Sequence, residues 1–375
     1  MTTAQAQWTR AHGWTPAAAQ WPREADVIFV FGARRALRGG GLAQLRRKLP
    51  DTPLFGCSTA GEVHGDQVAD DSVVATFVKF SNTRAVIHRV PVNGQSFDAG
   101  LALGAAIDPR DLAHLLVLSD GLHVNGTELV RGLAGRIPKK VVITGGLSAD
   151  GEAFEETLVV ARGSLSTGTV AALALYGDRL EIGCGSLGGW DQFGLERRIT
   201  KSAGNVLYEL DGKSALALYK TYLGEHASQL PASGLLFPLG IRAGEDAPIV
   251  VRTILAVDEE RQSLTFAGDV PEGQYARLMR ANFDRLIDGA VGAARISQAE
   301  LGSRRAELAL LISCVGRRLI LKQRVEEEIE GVREVLGPDP CLMGFYSYGE
   351  ISPFSAGGSC ELHNQTMTIT TFREN

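Results

Sequence analysis

Gly344–Ile369 reads GFYSYGEISPFSAGGSCELHNQTMTI, and the start of this stretch repeats a pattern already met near the N-terminus. Leu342–Ile351, LMGFYSYGEI, shares its skeleton with Leu54–Val63, LFGCSTAGEV: an apolar pair, a glycine, four mostly small or polar residues, then Gly-Glu and a β-branched residue. A looser echo, ITGGLSADG at Ile143–Gly151, carries Asp150 in place of the glutamate. Matching loops at distant points of one chain imply a pseudo-symmetric architecture built from repeated units. Such loops are expected to face each other and share a site.

The surrounding pattern repeats with the loops. A buried strand (VIFVFG, from Val27), a basic helix reaching Leu49 and a strand ending at Phe55 lead into GCSTAGE. Strand-like runs Val73–Phe80 and Ala85–Val90 and a small-residue helix Asp98–Ile107 follow. The order restarts with strand Leu115–Leu118, loop SDGLHVNG, helix Thr127–Arg136, strand Val141–Thr144 and loop GGLSADG, then three β runs from Thr157 to Ile182. Further on, Ile249–Val257 and Ser263–Phe266 read as paired strands and Pro271–Ile296 as an amphipathic helix. Leu308–Ser313 is a buried strand, Arg318–Leu336 a charged helix, Cys341–Phe345 a strand running into FYSYGE, and Thr366–Phe372 the last strand. The expected fold is α/β and two-lobed, with pseudo-repeated strand-helix-strand units and mixed sheets.

GCSTAGE, LVLSDGLHVNGTELVRGL (Leu116–Leu133), ITGGLSADG, GFYSYGEISP and ELHNQTMTI together resemble the FIST N and FIST C domains, named for F-box and intracellular signal transduction proteins. The resemblance spans roughly residues 27–372. It implies a sensory or small-ligand-binding module with amino acids and related metabolites as ligands. The expected organisation is an N-terminal extension over 1–25, a FIST N-like lobe over 26–187, a connector over 188–236 and a FIST C-like lobe over 237–375.

A chain of 375 residues, 45% hydrophobic and 22% charged, is long enough for two joined lobes with full cores. A net charge of −5 disfavours nucleic acid as the main partner. The basic run Arg34, Arg35, Arg38, Arg46, Arg47 and Lys48 reads as a solvated helix face. No apolar run reaches spanning length, and the N-terminus lacks the apolar core of a secretory signal. Five cysteines without a Cys-x-x-Cys pair argue against a disulfide framework and a structural zinc, and for a reducing cytoplasm.

Gly183–Gly188 satisfies G-x-G-x-x-G, but the GWDQFG that follows cannot open a helix over a pyrophosphate, so a glycine-rich turn is expected. GCSTAG misses the nucleophile elbow by one position. Its hydroxyls Ser58 and Thr59, with Ser148 of the echo, instead suit a grip on a carboxylate or amide, or the satisfaction of their own turns. Glu62, Asp150 and Glu350 suit an ammonium group, or the capping of neighbouring turns. Ser119, Asp120 and Asn125 follow an apolar strand, where open α/β sheets place ligands. His363 and Asn364 are placed beneath GFYSYGE, with Tyr348 as a wall. Cys314 follows another strand beside Arg317, whose charge would favour a thiolate if the thiol is exposed; a buried, inert cysteine is the plainer alternative.

These residues read as a cytoplasmic sensor that binds a small polar metabolite, an amino acid by preference, in a cleft between lobes. It would report to a signalling protein or through an oligomer of its own. No cofactor, metal, nucleic acid or membrane insertion is expected. The alternatives are an enzyme using Cys314 or the loop carboxylates, and a scaffold for protein partners.

Overall fold

A computed structural model describes residues 1–245, 247, 249–353 and 358–375. Three sheets follow one plan. In the first, Val27–Gly32 and Leu54–Ser58 run parallel, joined by helices Arg34–Arg38 and Gly41–Lys48, and Ser72–Lys79 returns antiparallel beside the first strand. In the second, Leu112–Ser119 and Val142–Leu147 are joined by helix Gly126–Ala134, and Thr169–Tyr176 returns. In the third, Leu308–Cys314 and Cys341–Ser347 are joined by helices Val315–Leu321 and Val325–Leu336, and Met367–Glu374 returns. An outer strand completes each: Thr2–Thr9, Arg84–Pro91 and Leu180–Leu187. Strands such as Val27–Gly32 and Leu308–Cys314 are buried along their whole length, which is why they read as unbroken apolar runs.

Each unit also gives a hairpin to the next sheet. Glu62–His64 and Gln67–Ala69 pair beside Cys341–Ser347 of the third sheet. Val159–Ala161 and Ser164–Ser166 pair beside Leu54–Ser58 of the first. Gly349–Pro353 and Cys360–His363 pair beside Val142–Leu147 of the second. The three exchanges close a ring. The mixed α/β architecture of pseudo-repeated strand-helix-strand units is therefore as the sequence led us to expect.

Register fixes which residues correspond. Gly56, Gly145 and Gly344 lie opposite Val30, Val117 and Leu311 on their parallel neighbours. A Cβ at any of the three would stand within 1.9 Å of that neighbour's carbonyl oxygen, so only glycine fits. Counting on from these glycines, Thr59, Ser148 and Ser347 correspond, and Glu62 and Glu350 correspond. Asp150 stands one residue earlier, at the position that corresponds to Gly61 and Gly349, and Gly151 takes the glutamate's place.

Within residues 1–25, expected as an N-terminal extension, Thr2–Thr9 pairs along the whole of Ser72–Lys79. Residues 188–236, expected as a connector, begin a segment that runs to Ala281, here called the insertion. Its sheet is built on the long strand Trp190–Ala203, with its own core around Ile199, Leu216, Ile254, Phe266 and Leu278. Pro271–Ile296 is not one helix: Tyr275–Ala281 is a strand with Ala276 and Leu278 turned into that core, and Asn282 caps a helix over Phe283–Glu300. Arg318–Leu336 is two helices, broken at Lys322–Arg324. The G-x-G-x-x-G run is a strand, not a turn. Gly183 and Gly185 let Phe283–Glu300 lie against it, and a Cβ on either would sit 1.9 or 2.1 Å from that helix's carbonyl oxygens.

Candidate functional site

The three loops meet through a cycle of backbone hydrogen bonds. Ala60 N–H donates to Tyr346 O (2.9 Å), Tyr348 N–H to Leu147 O (3.3 Å) and Ala149 N–H to Ser58 O (2.9 Å). The donors are equivalent residues of the three units and so are the acceptors, so the strand ends surround one pseudo-threefold axis.

Next to the axis, two units carry the same buried device. The Thr59 hydroxyl donates to Glu62 Oε1 (2.5 Å) and the Ser72 hydroxyl to Glu62 Oε2 (2.6 Å). Ser347 donates to Glu350 Oε1 (2.7 Å), and the Thr366 N–H and hydroxyl to Glu350 Oε2 (3.1 and 3.0 Å). Burial pushes both carboxyls up to about 8, against the opposing pull of these donors, so each holds its proton near neutral pH. In the second unit Gly151 leaves nothing to bind, and Ser148 donates instead to Ser119 O (2.7 Å).

Most other candidates build the loops. The carboxylate of Asp150 accepts from the N–H groups of Phe154, Glu155 and Glu156 and from the Tyr348 hydroxyl (2.5 Å), while the Tyr348 ring stacks on Phe154 at 4.9 Å. Asp120 accepts from the N–H groups of Leu122, His123 and Gly168; burial pushes its pKa up, but these donors outweigh it and hold the group below the ordinary carboxylate range. Ser58 accepts from Leu158 N–H, and the Ser119 hydroxyl donates to Asp120 O. Asn125 caps helix Gly126–Ala134 and donates to Asp269. Arg317 is buried in an ion pair with Glu328 (2.8 Å) and donates to Gly188 O and Leu286 O. Cys314 is fully buried, and that burial raises its thiol pKa despite Arg317, so the thiolate has no support. His363 and Asn364, with Thr366, line a separate cavity of about 290 Å³ against the insertion; burial lowers His363 to about 4. The single cleft expected for all these residues is thus divided.

Thr59, Glu62 and Asp150 line an open depression of about 470 Å³ at the carboxyl ends of the first unit's strands. It also holds residues that the sequence did not single out for binding: Arg34 and Arg35, which begin the helix after Val27–Gly32, Asp70 and Asp71, and Arg318. Arg34 reaches Glu155 (2.6 Å) and Asp150 (3.7 Å). Arg318, from the third unit, bonds Ala60 O and Asp70 at very short range. Gly61 makes this possible: its φ is +132°, and a Cβ there would meet the Arg318 guanidinium at 2.7 Å. The position of Arg34 and Arg35 just past an apolar strand was the available signal for them. In the third unit the equivalent ground is covered. Gln365, which corresponds to Asp71 and shares its positive φ, donates to Leu235 O and Thr253 Oγ1, and Thr253 N–H donates to Asn364. Of these two equivalent places, the insertion roofs one and leaves the other open.

A three-unit α/β ring with a charged depression at its strand ends defines the class. The FIST N domain model matches residues 26–213 and the FIST C domain model residues 215–353, and the chain belongs to this family, which is associated with signal transduction. It is similar to an uncharacterized protein of Methanocaldococcus jannaschii, 24% identical, with 82% of this chain aligned; the match covers 65% of the relative's length. Among solved structures, a cyanuric acid hydrolase from A. caulinodans aligns over 78% of this chain and 99% of its own at 11% identity, with a TM-score of 0.19, too low to support any argument. Among the described residues, no helix is long and apolar enough to cross a membrane.

Proposed function

We propose that this chain is a sensory module that binds a free amino acid in the open depression and passes its occupancy to a signalling partner or a second copy. The mixed charge of the lining carries the reading. Arg34, Arg35 and Arg318 offer donors to a carboxylate, Asp70 and Asp71 offer acceptors to an ammonium, and the volume is within the range of small-molecule sites. Glu62, neutral near pH 7, adds no charge and supports the Thr59 turn beneath the ligand. All five cysteines are free, which fits action in the cytoplasm.

Thermal-shift screening with the common amino acids, nucleotides and organic acids tests this. An amino acid should raise Tm selectively. Arg35→Ala and Asp71→Asn should each weaken that ligand about ten-fold or more by calorimetry, the order of one charged hydrogen bond. Neither should change the Tm of the unliganded protein, because Arg35 and Asp71 are exposed. Absence of any amino-acid shift, or one indifferent to both substitutions, overturns the reading.

A further inference from the structure

Arg318 borders two cavities: the depression and a second one of about 480 Å³, lined by residues of helix Val315–Leu321 and of the 3-10 segment Ala232–Leu235 of the insertion. Leu236 and Leu319 provide apolar wall, and Lys322 and Ser233 provide polar groups.

Two observations, the unpartnered Ser233 hydroxyl and the unpaired Lys322 ammonium, mark this second cavity as a place for an anion. Ser233 is 3% exposed and lines the cavity, yet its hydroxyl has no hydrogen-bond partner among the described residues. A buried polar atom left unpaired is costly, and a ligand would satisfy this one. Lys322 has a φ of +49° at the end of helix Val315–Leu321, its N–H bonded to Arg318 O. Such strain in a residue other than glycine is held where the surroundings require it. The charges also differ: Arg318 is matched by Asp70, whereas Lys322 makes no ion pair among the described residues, and one acid, Glu152, is among the lining residues.

We infer that the ligand is an amino acid bearing a second anionic group on its side chain, with that group held past Arg318 by Lys322 and Ser233. This rests on the amino-acid reading above and narrows it. The ammonium lies toward Asp70 and Asp71 and the α-carboxylate toward Arg35. The side-chain methylenes cross Leu236 and Leu319, and the far carboxylate accepts from the Lys322 ammonium and the Ser233 hydroxyl. The insertion supplies Ser233 and Leu236, so an acidic ligand touches both the ring and the inserted sheet.

Calorimetry on the full chain with L-glutamate, L-2-aminoadipate and L-glutamine tests it. The better of the two acids should bind about ten-fold or more tighter than glutamine, the order of one charged hydrogen bond. Lys322→Gln, at an exposed position, should remove most of that preference, weakening the acids about ten-fold or more and glutamine much less. Ser233→Ala should weaken the acids more than glutamine. If glutamine or another neutral amino acid binds as tightly as the acids, or the preference survives Lys322→Gln, the anion subsite is refuted while the amino-acid reading stands. If no amino acid binds, both fall.

Discussion

Glu62 and Glu350 carry their protons for a reason visible at single atoms. Each is buried and faces hydroxyl and N–H donors, with no cation in hydrogen-bond contact. An acid with a folded pKa of about 8 and an ordinary value near 4.5 binds more protons folded than unfolded between those values. Its stabilising contribution is therefore full below about 4.5 and is lost as pH rises through about 8. The slope cannot exceed about 1.4 kcal/mol per pH unit for one group. Glu62→Gln has the same shape and no charge at any pH, so its Tm should fall less than the wild type's between pH 6 and 9. Parallel Tm curves for the two proteins would show that Glu62 is ionised throughout. Glu62, Glu350 and Thr59 were legible in the sequence because the loop repeats. Asp150 was misaligned by one residue, since only strand register shows that Gly151 occupies the glutamate's place. The Arg318–Asp70 contact was not legible, because 248 residues separate its partners.

At the scale of single elements, apolar spacing alone decided less than neighbours did. Tyr275, Leu278 and Met279 fit a helical stripe, but the alternating burial of Ala276 and Leu278 in the insertion's core makes the segment a strand. The glycines of Gly183–Gly188 suggested a turn because nothing in the local sequence shows that a helix from residue 283 onward lies against them. That contact gives a sharp expectation. Gly185→Ala places a methyl group 2.1 Å from Ala293 O, which must push the helix Phe283–Glu300 off the sheet. Overpacking of this kind costs about 1–3 kcal/mol, occasionally more. Urea denaturation should show this loss, whereas Gly151→Ala, with nothing within 4 Å of its Cβ but a φ of +77°, should cost only about 1 kcal/mol from its backbone. Equal losses would mean that the close helix–sheet contact is not formed.

For the whole molecule, the repeat of strand, helix, strand and loop was legible, but the exchange of hairpins was not. Short β runs at 62–64 and 67–69, at 159–161 and 164–166, and at 349–353 and 360–363 carry no local mark of which sheet receives them. The exchange has a consequence for where the chain can be divided. The family boundary near residue 214 suggests two separable domains, yet two of the three sheets of the ring contain strands from both sides of it. A fragment of residues 1–213 would keep the first sheet whole. It would lose Gly349–Pro353 and Cys360–His363 from the second sheet and the entire partner of its own hairpin of Glu62–His64 and Gln67–Ala69. Leu180–Leu187 would lose Met367–Glu374 as well. Buried strands such as Val142–Leu147 would then present unpaired backbone groups and apolar side chains to water, each costly on its own. The fragment is therefore expected to aggregate or to lack near-UV circular dichroism and a cooperative thermal transition. The full chain should unfold its ring in one step, because each sheet loses a hairpin when the unit that supplies it opens. A soluble 1–213 fragment with a cooperative transition near that of the full chain would show that the hairpin exchange contributes little to the ring.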